Sequence, residues 1–358
     1  MRPGKIKVLV VDDSAIVRKL LSEAIDREQD MQTVGAAPDP YVARDLLLER
    51  KPDVITLDIE MPRMDGLTFL TKIMQYQPLP VIVISSVGQS TCDIAVEAMR
   101  RGAVDVLAKP SGPYSVGDIG RILPEKIRAA SLARVRKSTG VSAVAPAAPA
   151  AAVSASPATG FAPGSLLAIG ASTGGTQAIE TVLLSMPAAC PAIVIAQHIP
   201  PVFSASFASR LNTLCRMEVK EAQDGDIVAP GRALVAPGDF HMLLRRTDGV
   251  LRTVVRTGPR VHYQRPAVDV MFRSIADLKL RNVVGVLLTG MGCDGAEGLL
   301  RMREAGATTI AQDEASCVVF GMPKVAIELG GATQVLPLDR IANAALGHLS
   351  ARAGNRVA

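Results

Sequence analysis

Three aspartates stand where short apolar runs end: Asp12 and Asp13 follow KVLVV, and Asp58 follows DVITL. Carboxylates converging from neighbouring strand ends make an oxygen-rich pocket of the kind Mg2+ accepts, with positions left open for phosphate oxygens. Ser85 ends the run PVIVIS, and Lys109 ends VDVLAK just before Pro110. A hydroxyl and an ammonium group there would hold a transferred phosphoryl group, with Asp58 as its acceptor. Taken singly, each acid is more often a solvated loop residue or a helix cap. Matching residue types at successive strand ends favour the joint site.

A second constellation lies further along. Gly170-Ala171-Ser172-Thr173-Gly174 fits G-x-S-x-G between the apolar run SLLAIG and the amphipathic segment TQAIETVLLSM. Small flanking residues let the chain turn sharply, leaving the serine hydroxyl exposed near a helix N-terminus whose N–H groups can stabilise an oxyanion. By itself the pentapeptide reads equally as a glycine-rich turn. A serine nucleophile needs a base, and the chain has four histidines. His198 directly follows the run AIVIAQ at a strand end, whereas His241 and His262 lie in or near a hairpin and His348 in the terminal helix. The same logic selects Asp294, which follows NVVGVLLTGMGC and opens a helical segment. Alone, His198 is more often structural and Asp294 more often an N-cap; together with Ser172 they make a triad along one sheet edge. The order Ser, His, Asp differs from the Ser, Asp, His of common α/β-hydrolases, which makes a generic esterase a poorer match.

The elements that must position these residues are legible in outline. Before Lys137 the runs KVLVV, QTVGAA, DVITLD, PVIVIS and VDVLAK alternate with amphipathic segments. Ser14 is placed to cap the helix AIVRKLLSEAI, in which Ile16, Val17, Leu20, Leu21 and Ala24 recur at helical spacing. After Gly164 the pattern resumes with SLLAIG, AIVIAQH, ALVAP, NVVGVLLTG and ATTIAQD, interrupted by an expected antiparallel hairpin over 241–255 that turns at Asp248-Gly249. Repeated β-α units predict an α/β protein of two doubly wound domains. The first is a five-stranded parallel, flavodoxin-like domain, and the second is Rossmann-like with the hairpin inserted. Between Ser138 and Gly164 there is no charged residue, and Ala, Pro and Ser dominate. Such a stretch cannot offset its ordering entropy and reads as a linker. The expected domains are therefore 1–137, a linker over 138–164, and 165–358. Basic residues (Lys126, Arg128, Arg134, Arg136, Lys137) precede the linker.

Composition bounds the class. Of 358 residues, 48% are hydrophobic and 20% charged, as in a globular chain. The opening residues do not resemble a signal peptide, and no long uncharged apolar stretch predicts a membrane span. Five scattered cysteines without a C-x-x-C pair read as reduced thiols, which predicts a cytoplasmic protein. The net charge of +5 is modest and lacks a basic cluster with interleaved aromatics, so no nucleic-acid partner is expected. Arg245, Arg246, Arg252, Arg256 and Arg260 in and after the hairpin could face an acidic partner, although a solvated face explains them more simply.

Residues 5–130 resemble a two-component receiver domain, on the strand-end residues above and on DIEMPRMDG with Asp58, Met61, Pro62, Asp65 and Gly66. The resemblance implies phosphorylation at Asp58, Mg2+ at Asp12, Asp13, Asp58 and the Glu60 carbonyl, and phosphate sensing by Ser85 and Lys109. Three positions before that lysine the family often has an aromatic residue; here it is Val106, so an aromatic rotamer switch is not implied. Residues 165–350 resemble the chemotaxis protein-glutamate methylesterases through GASTGG, AQHIP, LTGMGCDGAEGL and CVVFGMPKVA. That resemblance implies hydrolysis of glutamate γ-methyl esters on methyl-accepting chemoreceptors, with deamidation of receptor glutamines. Thr173 and Met291 N–H groups would line the oxyanion hole, and no cofactor would be needed in this half. A chemotaxis histidine kinase is the implied phosphodonor, and the receiver is expected to control the hydrolase. A DNA-binding regulator is a poor fit to the long α/β pattern after the linker. A non-catalytic adaptor would require a missing triad member, and none is missing.

Overall fold

The structure, a computed structural model, describes residues 4–86, 88–109, 113–135, 161 and 164–351. Pro110, Arg136, Lys137 and nearly all of the expected linker lie outside them. The chain divides into two units, the bulk of one preceding Lys137 and the bulk of the other following Ser138.

In the first unit, β1 (Ile6–Val11), α1 (Ala15–Asp26), β2 (Met31–Ala37), α2 (Pro40–Arg50), β3 (Val54–Asp58), α3 (Gly66–Tyr76), β4 (Val81–Ser85), α4 (Gln89–Arg100), β5 (Asp105–Ala108) and α5 (Pro113–Ser131) alternate as expected. The sheet order is β2-β1-β3-β4-β5, and every pairing is parallel. Strands covered on both faces must be apolar throughout. Accordingly Val8 to Val11, Ile55, Leu57 and Val81 to Ile84 are buried, and α1 packs with α5 and α3 with α4. Ser14 caps α1 by accepting from the Val17 N–H, 3.4 Å away. Ile16, expected on the buried stripe, is instead 73% exposed. At 100° per residue it lies about 180° around the helix from the buried Ile25. Chain reversal exchanges sides between β1 and β3, which opens a crevice at their carboxyl ends where Asp12 and Asp58 stand.

The second unit runs β6 (Leu166–Ala171), α6 (Gly175–Leu184), β7 (Ala192–Gln197), α7 (Phe203–Leu214), β8 (Glu218–Glu221), β9 (Arg232–Val235), β10 (His241–Thr247), β11 (Val250–Arg256), α8 (Val268–Asp277), β12 (Val283–Leu287), α9 (Ala296–Glu304), β13 (Thr308–Gln312), α10 (Met322–Glu328), β14 (Gln334–Leu336) and α11 (Leu338–Ala351). Its parallel sheet has seven strands in the order β14-β13-β12-β6-β7-β9-β8, rather than five. The two additions, EVKE and QVL, are edge strands with few buried positions, so neither produces the apolar run that marks a covered strand. β10 and β11 form a separate hairpin, and φ of +52° at Asp248 and +78° at Gly249 gives the left-handed turn that matches strand twist. One core of this unit joins Phe272 and Met271 of α8 with Leu299 and Met302 of α9 and with Val283 and Leu287 of β12.

Candidate active site

The switch point of the second sheet falls between β6 and β12, where the chain leaves a central strand in opposite directions. Register puts Gly170 level with Ala196 on one side and Leu287 on the other. The ladder then continues past the strands. His198 N–H donates to the Ala171 carbonyl at 3.1 Å, and Ser172 N–H to the Thr289 carbonyl at 3.0 Å. Sheet register alone thus brings the residues after β6, β7 and β12 to one place.

There, Ser172 Oγ lies 3.0 Å from His198 Nδ1, and His198 Nε2 lies 2.7 Å from Asp294 Oδ2. The expected exposed hydroxyl is in fact nearly buried: Ser172 and His198 each keep 5% exposure and Asp294 2%. With its Nε2–H donated to the carboxylate, the imidazole keeps the Nδ1 lone pair facing the serine, the arrangement a general base requires. Asp294 also accepts the Val268 N–H at 2.7 Å and the Asp269 N–H at 2.9 Å. Burial opposes its ionisation, but the His198 hydrogen bond and charge together with the two N–H groups hold its carboxyl below the usual carboxylate range. The capping role weighed for this aspartate is therefore real, but the helix it caps is α8, not α9, which its own segment opens. Ala267, at the N-cap of α8, supplies no side-chain acceptor, and Asp294 fills that need. Asp269 returns the favour by accepting the Gly298 N–H in α9 at 2.7 Å.

The two peptides expected to face an oxyanion are held from their carbonyl sides. The Ser172 carbonyl accepts from Gly175 N–H at 2.7 Å and from Gln197 Nε2 at 2.9 Å. The Gly290 carbonyl accepts from Gly321 and Met322 N–H groups at 3.0 and 2.8 Å. Because a peptide is planar and trans, fixing each carbonyl aims the N–H of the next residue, Thr173 or Met291, the opposite way. Thr289 Oγ1 donates to the Thr173 carbonyl at 3.0 Å and ties the two loops together. Gln197 and Thr289 were not singled out from sequence. Gln197 sits one residue before His198 in AQHIP, the only signal that could have marked it.

The remaining histidines part company. His241 is buried and structural, donating from Nε2 to the Pro259 carbonyl and accepting the Ala267 N–H at Nδ1. His348 pairs with Gln334. His262 faces Asp269 and Cys293. Burial, then the charges of Asp269, Asp294 and Glu297, push the Cys293 thiol up. Of the hairpin-region arginines, Arg252 is bound to the Gly225 carbonyl and Arg260 to Asp239, while Arg245, Arg246 and Arg256 are exposed.

In the first unit, Asp12, Asp13 and Asp58 offer ligand atoms within 4.8 Å of one another. Asp12 and Asp58 are buried and Asp13 is exposed. Lys109 Nζ lies 2.6 Å from Asp58 Oδ2 and 3.4 Å from Asp12 Oδ2. Asp12 Oδ2 is buried with no well-aligned hydrogen bond beyond that 3.4 Å ion pair, and a buried carboxylate oxygen of this kind suits a hard cation. Burial pushes Asp58 up to about 6, with the Lys109 bond opposing and the Asp12 charge adding. Ser85 Oγ is turned toward the Ser86 and Thr91 carbonyls, at 3.4 and 3.5 Å. Glu60 donates its N–H to Asp58 at 3.0 Å, and its exposed carboxylate accepts from Ser86 Oγ. Val106 is buried in β5.

Comparison with known proteins agrees across both units. Residues 8–117 match the response regulator receiver domain model and residues 167–345 the CheB methylesterase model. A protein-glutamate methylesterase/protein-glutamine glutaminase of Syntrophus aciditrophicus is 52% identical over 95% of this chain and 98% of its own. One from Salmonella typhi is 47% identical over 99% of this chain and 100% of its own. Among solved structures, the Thermotoga maritima CheB methylesterase catalytic domain is similar at a TM-score of 0.50 and 40% identity, covering 51% of this chain and 97% of that one.

Proposed function

This chain belongs to the CheB methylesterase family, and from that premise we propose a phosphorylation-regulated hydrolase that demethylates glutamate γ-methyl esters on chemoreceptors and deamidates receptor glutamines. The observation that carries the reading is the unbroken hydrogen-bonded chain from Ser172 through His198 to Asp294 at a sheet switch point. His198 Nδ1 takes the serine proton as Oγ attacks the side-chain carbonyl. Asp294 holds the tautomer and stabilises the imidazolium that forms. The N–H groups of Thr173 and Met291 receive the oxyanion, each such donor contributing about 10²–10³ in kcat. His198 then protonates the leaving methanol, or ammonia from glutamine, and water cleaves the acyl-serine by the same route in reverse.

The region 1–137 acts as the receiver, 138–164 as the linker and 165–358 as the catalytic domain. Asp58 is the phosphoryl acceptor, with a chemotaxis histidine kinase as donor. Asp12, Asp13, Asp58 and the Glu60 carbonyl would hold Mg2+, which would supply neutralising charge for the incoming phosphoryl group; the buried Asp12 oxygen, met only by the 3.4 Å ion pair with Lys109, supports that fit. Lys109, whose Nζ lies 2.6 Å from Asp58 Oδ2, would pair with the phosphoryl oxygens, and Ser85 would complete the sensing pair. The reading is of a cytoplasmic enzyme acting on the signalling region of its receptors; among the described residues no helix is long and apolar enough to cross a membrane. The test is methanol release from methylated receptor. Ser172→Ala should lose at least about 10⁴-fold in kcat, and release that survives the substitution would remove the serine from the chemistry.

A further inference from the structure

Beside the acid of the triad lies a group of side chains that hydrolysis does not use. His262 Nε2 is 3.2 Å from Oδ2 of the buried Asp269, and His262 Nδ1 is 3.5 Å from Cys293 Sγ. An imidazole with one nitrogen held by a buried carboxylate has its tautomer set, and the lone pair of the other nitrogen, which accepts from the Cys293 thiol, can turn to a metal ion once that thiol is deprotonated. The spacing suits such an ion. Zinc at about 2.0 Å from nitrogen and about 2.3 Å from sulfur, with a tetrahedral angle between them, keeps the two atoms about 3.5 Å apart.

The surroundings agree with this geometry. His262 and Tyr263 occupy the centre of a tight turn closed by two hydrogen bonds between Val261 and Gln264, with φ of +49° and +61°. Left-handed backbone is costly for a residue with a side chain, yet this turn has two in succession, and it aims the imidazole at the thiol. The His262 side chain keeps 37% exposure and Cys293 is half-buried, so an ion and its remaining water ligands can reach them. Asp269, Asp294 and Glu297 all act on the thiol with negative charge, and Arg273, paired to Asp269 and Glu297, is the facing cation. That field discourages a thiolate nucleophile but attracts a dication.

We propose that His262 Nδ1 and Cys293 Sγ form a Zn2+ site at the rim of the triad, oriented by Asp269, whose occupancy inhibits the hydrolase. Binding breaks the Cys293 S–H bond, releases that proton to water and forms the zinc–sulfur bond, with no change in oxidation state. Cys293 lies between Met291 and Asp294, in a loop turned by Gly292 at φ +89°. A dication there draws Asp294 charge away from His198 and opposes the imidazolium that forms during hydrolysis. The inhibition rests on the hydrolase reading; the binding does not.

Co2+ is the spectroscopic probe, added to the full chain with excess Mg2+ to occupy the acidic pocket of the first unit. Wild type should show a thiolate-to-cobalt band in the near-ultraviolet at one equivalent, Cys293→Ser should lose it, and His262→Gln should bind at least about 10-fold more weakly. Zn2+ competing with a chromophoric chelator should give the same order of affinities. One equivalent of Zn2+ should lower wild-type methanol release at least about 10-fold, reversed by EDTA, with both variants resistant. A band that persists in Cys293→Ser, or equal affinity in His262→Gln, overturns the site. Unchanged hydrolysis with the site filled overturns the inhibition. A band in a chain that never releases methanol would sink the hydrolase reading and leave the metal site standing.

Discussion

At the scale of single residues, this molecule holds two buried carboxylates in opposite states. Asp294 is kept ionised by three partners, His198 and two backbone N–H groups on α8, and the proposed mechanism needs its charge when the imidazole becomes cationic. Asp58 also has partners, Lys109 and the Glu60 N–H, but burial outweighs them. Burial, with the Asp12 charge adding, raises it to about 6. A pH dependence follows. Between about pH 4 and 6 the metal-free native state holds a proton that the unfolded chain has released, since an unperturbed aspartate titrates near 3.9. Native stability therefore falls as pH rises through that window. In EDTA, urea unfolding of wild type relative to Asp58→Asn should show wild type losing on the order of 2 kcal/mol from pH 4 to 6.5. A difference that stays flat, or runs the other way, would show that Asp58 is not the perturbed group.

Secondary-structure elements explain why such a site holds its shape. α8 and α9 exchange caps, Asp294 serving α8 and Asp269 serving α9, so the triad acid is locked by the same bonds that end two helices. The loop after β12 must also pass very close to Ser172. A Cβ on Gly290 would lie 2.7 Å from Ser172 Cβ and would collide with Met322 Sδ. Gly290→Ala should cost about 1–3 kcal/mol in thermal unfolding and reduce kcat far more than it changes KM, since it shifts the serine and the Met291 peptide together. Full turnover by a stably folded Gly290→Ala protein would mean that this close approach has no catalytic consequence. Glycine at this position was visible in LTGMG as a small residue; that it faced Ser172 was not, because 118 positions of chain separate two loops that only the β6–β12 pairing brings together.

For the whole molecule the expectation is control of one unit's chemistry by phosphorylation of the other. With Mg2+ and a small phosphodonor, methanol release by the full chain should rise by roughly 5-fold or more, the lower range of ordinary allosteric coupling. Asp58→Asn should abolish that response, and a response that survives it would place the acceptor elsewhere. The chain's linear pattern was enough to determine the two α/β halves, the strand ends that carry Asp12, Asp58, Ser172, His198 and Asp294, and the hairpin turning at Asp248-Gly249. These rest on local periodicity and turn chemistry, which neighbouring residues specify by themselves. Only the folded sheet decided that Asp294 caps α8, that Gln197 and Thr289 aim the peptides beside Ser172, that Ile16 faces outward, and that His262 meets Cys293. The same holds for the edge strands β8 and β14, whose polar residues become strand only once a covered neighbour offers its hydrogen bonds. Contacts between distant segments depend on register and on which helix end lies open, and no local pattern of side chains encodes either.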